Sequence, residues 1–294
     1  SAGDHIIVVR DCYRRTREFA DAGLPVMVCP GTSGWQRHGT ALPNSMENVT
    51  RFARTGKQCG AEGMLNTDWG DYGHRNPLGV SLHSFAHGAA RSWYGRGVDD
   101  AAFTRIFAAQ CFGEDSGRLA DAIRTLGEAA ALASPESNCL YHALVEPLRE
   151  PANRFVKRFH PVSLVGHYPE LFPRAIEKGQ VEGLEAVIDM LSVSDLWPEP
   201  DTQLPDFETY ALADYRLAAA MDTLAAERAL LGKAYRTGVA VSTAEFKAWA
   251  DAMAELRCGF EMLWRSRFRP SKLKDNLRLM RAAESECRQL AKKS

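Results

Sequence analysis

A short internal repeat in the first 95 residues constrains the fold of this chain more than any other feature. Each copy has an amphipathic stretch, a glycine at the usual helix C-cap (Gly23 or Gly60), a short apolar run, and a polar loop ending in tryptophan (Trp35 or Trp69). Apolar β-branched runs that alternate with helical stretches are typical of βα units with a parallel sheet. The two copies are separated by about one βα unit of a (β/α)8 barrel or of an open doubly wound sheet.

Three parallel strands are predicted in this region, over residues 5–9, 25–29 and 61–67. Three strands are too few to close a barrel, so we interpret residues 1–95 as part of a (β/α)8 barrel whose other strands lie upstream in a longer parent chain. The N-terminal part of that parent would then be a partner of this segment. Alternatively, another copy of the molecule covers the exposed strand edge, which predicts a homo-oligomer.

Helical periodicity replaces the strand signals from about residue 80 onward. Four helices of ordinary length are predicted over residues 80–94, 100–112, 117–133 and 172–191. Three longer helices, predicted to pack as an antiparallel bundle, follow over residues 206–236, 243–268 and 271–291. The predicted fold class is therefore α/β plus all-α, with a partial barrel over residues 1–95 and a mostly helical domain over residues 96–294.

The composition argues against several classes of function. A formal net charge of −1 gives no long-range field that would steer the chain onto nucleic acid or an anionic membrane, and the sequence has no run of about 18 apolar residues. The seven cysteines are scattered without a C-x-x-C pair, which favours reduced thiols and a cytoplasmic location. The commonest nucleotide-binding and serine-hydrolase motifs are missing from the sequence, and no cofactor is predicted.

The residues richest in candidate chemistry follow the third predicted strand, over residues 66–74. Ligands of parallel α/β folds bind at the carboxyl ends of strands, where this loop would lie. Trp69 and Asp71 are two residues apart, so in an extended backbone their side chains share a face. An aromatic plane beside a carboxylate suits a pyranose, because the sugar's C–H face stacks on the ring while its hydroxyls donate to the acid.

The same loop has a purely structural interpretation. Its acids could cap the next helix, and Trp69 could pack beneath that helix. Asp68 and Asp71 also resemble a catalytic carboxylate pair, but both come from one loop rather than from the two sides of a cleft, which favours binding or capping. His83 and His87 have the i, i+4 spacing of metal ligands, yet no Glu follows His83 and the neighbouring residues are core-like, so no metal site is predicted.

Two sequence strings resemble the last strands of a family 20 β-N-acetylhexosaminidase, a glycoside hydrolase with a (β/α)8 barrel. They are Cys-Pro-Gly-Thr-Ser-Gly-Trp over residues 29–35 and Gly-Ala-Glu-Gly-Met-Leu-Asn-Thr-Asp-Trp-Gly-Asp-Tyr-Gly-His over residues 60–74, with Asn48 in the helix between them. The resemblance covers about the first 95 residues and continues more loosely into the helical tail.

The resemblance implies a role for individual residues in binding a terminal N-acetylhexosamine. Trp69 and Asp71 match the family's Trp-x-Glu element, with Asp in place of Glu. Trp69 would line the pocket, and Asp71 would bond the distal hydroxyls of the terminal sugar. Trp35 would form another wall of the pocket, and Tyr13 would bond the N-acetyl group. Supporting loop positions are Asp68, Tyr72 and His74.

The family's reaction is substrate-assisted, and it needs an adjacent Asp-Glu pair to orient the acetamide and protonate the leaving oxygen. No Asp-Glu dipeptide occurs in this sequence, so no catalytic residue is expected in the chain. The resemblance therefore predicts the C-terminal portion of a hexosaminidase-like hydrolase that binds an N-acetylhexosamine-containing glycan and is inactive alone. The alternatives are a non-catalytic carbohydrate-binding module and a self-associating helical accessory module.

Overall fold

A computed structural model describes residues 16–70, 75–94, 99–133, 139–149, 175–193, 195–197 and 206–292. The first predicted strand, over residues 5–9, lies outside the described residues. The predicted domain boundary near residue 95 stays a prediction. Among the helices that the structure describes, none has a stretch long and apolar enough to cross a bilayer.

Two short parallel strands form the sheet that the structure describes. Strand β1, Met27–Val28, pairs in parallel with strand β2, Gly63–Met64. The pairing continues beyond the strands through an isolated bridge between Gly31 and Thr67. There the Thr67 amide donates to the Pro30 carbonyl oxygen at 2.8 Å, and the Thr32 amide donates to the Thr67 carbonyl oxygen at 2.8 Å.

The predicted partial (β/α)8 barrel with three parallel strands is wrong. The described residues contain only two strands, each two residues long, within the predicted ranges 25–29 and 61–67. Pro25 and Pro30 flank β1, and because proline has no N–H to donate, regular pairing cannot extend through either position. The remaining described chain is mostly helical, which is compatible with the helical region predicted after the strands.

Helix α1, Leu42–Gln58, connects the two strands and packs on one face of their sheet. Its buried side carries Met46, Val49 and Phe52. A Cβ added at Gly56 would lie 2.9 Å from Cγ2 of Val28, so this glycine allows the helix to approach β1 closely.

In the described residues after β2, seven shorter helical segments come before the long helices. They are a 3-10 turn at Leu78–Ser81, α2 at Leu82–Trp93, α3 at Asp100–Phe112, α4 at Arg118–Leu132, α5 at Cys139–Ala143, α6 at Ala175–Lys178 and α7 at Val181–Leu191. The ends of α3 match the sequence prediction because both are encoded locally: the Asp99 side chain accepts from the Ala102 amide at 2.7 Å, and Gly113 adopts φ 65°. The single helix predicted over residues 172–191 is instead divided between α6 and α7.

Three long helices complete the chain: α8 at Asp206–Thr237, α9 at Thr243–Arg267 and, after a 3-10 turn at Pro270–Lys272, α10 at Leu273–Leu290. Contacts run in opposite residue order along α8 and α9, from the Tyr235–Phe246 ring pair to the Asp214–Arg267 ion pair. Arg257 pairs with Glu284 and Asp251 with Arg288 between α9 and α10. The predicted antiparallel packing of these helices is therefore confirmed.

A buried arginine joins these three helices to the segment that follows α5. Arg228 of α8 donates to the Glu286 carboxylate of α10 at 2.7 Å and twice to the Glu146 carbonyl oxygen, at 3.0 and 3.2 Å. Its guanidinium carbon lies 4.7 Å from the ring centroid of Trp249 in α9. Since Arg228 is fully buried, the free-energy cost of removing its charge from water is offset by these contacts.

Replacing Arg228 by Met should therefore lower the free energy of unfolding by about 3–5 kcal/mol, because Glu286 loses its buried partner and the Glu146 carbonyl loses two donors. Urea unfolding followed by circular dichroism measures the change. The matched control is Arg278→Met, since Arg278 is exposed and its pairing with Asp275, at 3.6 Å, is a surface contact worth about 0–1 kcal/mol. If both variants lost the same free energy of unfolding, the central role given to Arg228 would be contradicted.

Candidate functional site

The candidate site lies where the two paired segments end. Its residues come from the loop after β1, residues 29–41, from the loop after β2, residues 65–70, and from residues 75–81 before α2. Parallel pairing brings the carboxyl ends of β1 and β2 to the same edge of the sheet. Ligands of parallel sheets commonly bind at this edge.

Two tryptophans border the Gly31–Thr67 bridge. The half-buried Trp35 ring lies against Gly31, with Cζ3 3.1 Å from the position a Cβ would take there. The Trp69 side chain is 55% exposed, and its Nε1 donates to Oγ1 of Thr67 at 3.0 Å. Thr67 Oγ1 in turn donates to the Pro30 carbonyl oxygen at 3.1 Å. The exposure of Trp69 contradicts the interpretation in which it packs beneath the next helix.

Asp68 links the two loops. Thr32 Oγ1 donates to Asp68 Oδ1 at 2.5 Å, so the carboxylate is tied to the loop after β1. In the structure Asp68 therefore bridges the loop after β2 and the loop after β1.

The loop after β1 is held in an unusual backbone conformation. Ser33 has φ 61° and Gln36 has φ 52°, both in the left-handed region that side chains other than glycine rarely adopt. Asn44 of α1 donates to Ser33 Oγ at 2.6 Å, and Asn48 donates to the Gly31 carbonyl oxygen at 3.2 Å. Strained backbone of this kind persists only where the surrounding contacts hold it, and it is common at binding sites.

Two buried carboxylates of α8 hold residues of the site in place through hydrogen bonds. Asp222 Oδ1 lies 2.8 Å from Nδ1 of His38 in the loop after β1. Asp214 Oδ2 accepts from the Gly79 amide, in the turn before α2, at 2.6 Å, and it also pairs with Arg267. Burial lowers the pKa of His38 below its usual value, so its imidazole is neutral at pH 7 and donates to Asp222 through Nδ1–H.

A buried arginine makes a third connection to the helices. Nη2 of Arg75 donates to the Tyr141 carbonyl oxygen at 2.8 Å, and its guanidinium carbon lies 3.9 Å from the centroid of the Tyr141 ring. Burial lowers the pKa of Arg75 below its ordinary value. Together with the bond from the Gly79 amide to Asp214, this contact fixes residues 75–81 to the helical part of the chain.

Only some of the predicted site residues can be placed. Trp35, Trp69 and Asp68 come together at the end of the paired segments, as expected from their positions in sequence. The other four predicted positions lie outside the described residues; they are Asp71, Tyr72, His74 and Tyr13.

Sequence reasoning missed three polar residues that converge on the same place. Thr32, Asn76 and Ser81 surround the Asp68 carboxylate and Gly34. Turn-forming dipeptides at Ser33-Gly34 and Asn76-Pro77 mark these segments as loops. No local pattern indicates that Thr32 meets Asp68, which is 36 residues away, so the convergence is visible only in the structure.

A groove of about 620 Å³ lies elsewhere on the α/β part, between α1, β2 and the end of α2. Its lining includes Arg54, Lys57, Met64 and Tyr94. The lining comes from the end of α1, from β2 and the residues before it, and from the end of α2. Of the predicted binding residues that the structure describes, Trp35, Asp68 and Trp69, none lines this groove.

His83 and His87 lie in the interface between α2 and α3. His83 Nε2 is 3.0 Å from Thr104 Oγ1, and its ring packs edge-on against Phe103 and Phe107. Among the residues that the structure describes, no group of three His, Cys, Asp or Glu side chains could hold a metal ion. None of the six cysteines in the described ranges forms a disulfide bond.

Comparison with known proteins adds no identification. The sequence matches no known protein family, and no curated protein matches it. The resemblance to family 20 hexosaminidases therefore stays a prediction, and the function has to be argued from the geometry of the site.

The buried histidines predict how stability depends on pH. Burial lowers the pKa of His83 to about 3, and burial also lowers the pKa of His87. The unfolded chain, with histidine pKa values of about 6.5, therefore binds protons at a pH where the folded protein does not. Stability from these groups is fully present above about pH 6.5 and falls by up to about 1.4 kcal/mol per pH unit for each histidine below it.

The variant His83→Gln isolates one of these contributions. Between about pH 6 and pH 4.5, the decline in its unfolding free energy should be shallower than the wild-type decline by up to about 1.4 kcal/mol per pH unit. Chemical denaturation at several pH values measures both slopes. Identical slopes would show that His83 titrates alike in the folded and unfolded chains.

Proposed function

We propose that this chain binds a terminal N-acetylhexosamine of a glycan where β1 and β2 end, and that it contributes binding rather than bond cleavage. The observation that carries the proposal is the Trp69 indole, which is exposed but fixed in orientation by its bond to Thr67. Trp35 and Asp68 complete the proposed contact surface.

The orientation of Trp69 suits stacking on a sugar. Because Nε1–H is already bonded to Thr67, the indole presents its flat faces to a ligand without an unsatisfied donor. The apolar C–H face of a pyranose packs well on such a surface. A side chain that is held in place before binding loses little conformational entropy when the ligand arrives.

The surrounding polar groups supply hydrogen bonds at the edge of this aromatic surface. Asp68 directly precedes Trp69, and its carboxylate accepts hydrogen bonds, as from Thr32. The hydroxyls of a stacked sugar can donate to a carboxylate in this position. By resemblance, Asp71 would provide a second acceptor two residues farther along the loop.

The proposal assigns no catalytic step to this chain. The hexosaminidase reaction needs an adjacent Asp-Glu pair, and the sequence contains no Asp-Glu dipeptide. Under the proposal, a longer parent protein supplies these acids, whereas a non-catalytic carbohydrate-binding module would lack them altogether. Both versions predict sugar binding at Trp69.

A second candidate function is self-association, favoured by the sheet face opposite α1. Met27 is 56% exposed and Leu65 is 55% exposed on this face, close to the Trp69 side. Clustered exposed apolar side chains commonly mark surfaces that bind another polypeptide. If this is the function, light scattering will give the mass of a dimer or larger assembly, and Met27→Asp will reduce it to that of a monomer.

Titration of the protein with N-acetylglucosamine and with a thiazoline-type transition-state mimic tests the sugar-binding proposal. Isothermal calorimetry is the appropriate measurement, since replacing a tryptophan changes the fluorescence signal itself. Trp69→Ala should weaken binding at least about tenfold, equivalent to about 1.4 kcal/mol, because the stacking surface is lost. Trp93→Ala is the matched control, as Trp93 is 87% exposed at the end of α2.

The proposal requires wild-type affinity in the Trp93→Ala variant and reduced affinity in the Trp69→Ala variant. No heat of binding from the folded wild-type protein, with either ligand, would refute it. Equal affinities for all three proteins would place the sugar elsewhere on the molecule.

A further inference from the structure

Three polar atoms crowd around the missing side chain of Gly34. A Cβ built on Gly34 would lie 3.0 Å from Asp68 Oδ1, 3.3 Å from Asn76 Nδ2 and 3.4 Å from Ser81 Oγ. These are the three nearest heavy atoms to that position, and they come from two segments of the site, residues 65–70 and residues 75–81. The backbone of Gly34 has an ordinary φ, so the glycine is explained by the close approach of these polar atoms, which leaves little room for a Cβ, rather than by a turn.

Two of these atoms are buried without a hydrogen-bond partner. Asn76 is 2% exposed and Ser81 is fully buried. Within the part of the chain that the structure describes, neither Asn76 Nδ2 nor Ser81 Oγ is hydrogen-bonded. Because an unsatisfied buried polar group costs free energy, such atoms point to a bound group that satisfies them.

The hydrogen-bonding chemistry of the three atoms determines which kind of ligand group they can bind. Asp68 supplies a carboxylate acceptor, Asn76 supplies an amide N–H donor, and the Ser81 hydroxyl can either donate or accept. A carboxylate or phosphate in this position would be repelled by Asp68, and an ammonium would face the N–H of Asn76. A hydroxyl both donates and accepts, so it can satisfy Asp68 and Asn76 at once.

We propose that Asp68, Asn76 and Ser81 form a subsite around Gly34 that binds one hydroxyl group of the sugar. The proposal rests on the proposed function and specifies which residues recognise the ligand's polar edge. Asp68 and Gly34 immediately precede Trp69 and Trp35 in the sequence. A sugar held between the two indoles therefore lies next to this subsite. Asp68 is partly exposed, which connects the buried donors with the surface.

A series of deoxy sugars tests the subsite on the unmodified protein. Calorimetry would compare N-acetylglucosamine with its 3-deoxy, 4-deoxy and 6-deoxy derivatives. One of the three should bind at least about tenfold more weakly than the parent sugar, because removing its hydroxyl leaves the donors of the subsite unpaired. In the Asn76→Ala variant, the affinity of this deoxy derivative should come close to that of N-acetylglucosamine. The affinities of the other two derivatives, relative to N-acetylglucosamine, should stay as they are in the wild-type protein.

Glycine-to-alanine variants test whether the subsite needs the space beside Gly34. Gly34→Ala should weaken binding of N-acetylglucosamine at least about tenfold, since the new Cβ fills the subsite. Gly259→Ala in α9 is the matched control, because a Cβ there meets no atom within 4 Å and its φ is ordinary. Circular dichroism and thermal melting verify that both variants remain folded.

The outcomes separate this inference from the proposed function. If N-acetylglucosamine binds and all three deoxy derivatives bind equally well, sugar binding stands but the subsite holds only a structural water, and the inference is wrong. If Gly34→Ala binds with wild-type affinity while folded, the inference is also wrong. If the wild-type protein binds no sugar, the proposed function and the inference fail together.

Discussion

The candidate site depends on two buried carboxylates of α8. Asp222 holds His38 in the loop after β1, and Asp214 holds the Gly79 amide before α2. The two acids are eight residues apart, so a rigid helix spaces their anchoring points by about 12 Å along its axis. Since each loop alone is irregular and the sheet between them is short, this helix determines where Trp35, Asp68 and the polar residues near Gly34 lie.

The position of α8 depends in turn on the bundle around it. Arg228 connects α8 to Trp249 of α9, to Glu286 of α10 and to the carbonyl of Glu146. A buried charge with these partners stabilises one arrangement of the helices, because any displacement leaves polar groups unpaired. The helical part of the chain therefore serves as the support on which the loops of the candidate site are arranged.

The sequence predicted the elements whose ends are encoded locally. The ends of α3 follow from Asp99 and Gly113, and the long helices were predicted from helical periodicity. The strands were overestimated, because apolar β-branched runs predict strands even where prolines and missing neighbours limit the pairing. Trp35, Asp68 and Trp69 could be proposed from their positions after apolar runs. The contact of His38 with Asp222, 184 residues away, has no local sequence signal and required the structure.

Hydrogen–deuterium exchange of the Asp222→Ala variant is the most direct test that α8 determines the shape of the site. Removing the carboxylate leaves the buried His38 imidazole without its acceptor, a loss of about 1.5–3 kcal/mol for a charge-assisted bond. Amides of residues 31–41 should then exchange at least about tenfold faster, whereas those of α9 and α10 should keep wild-type protection. Unchanged protection of residues 31–41 in the variant would contradict the account.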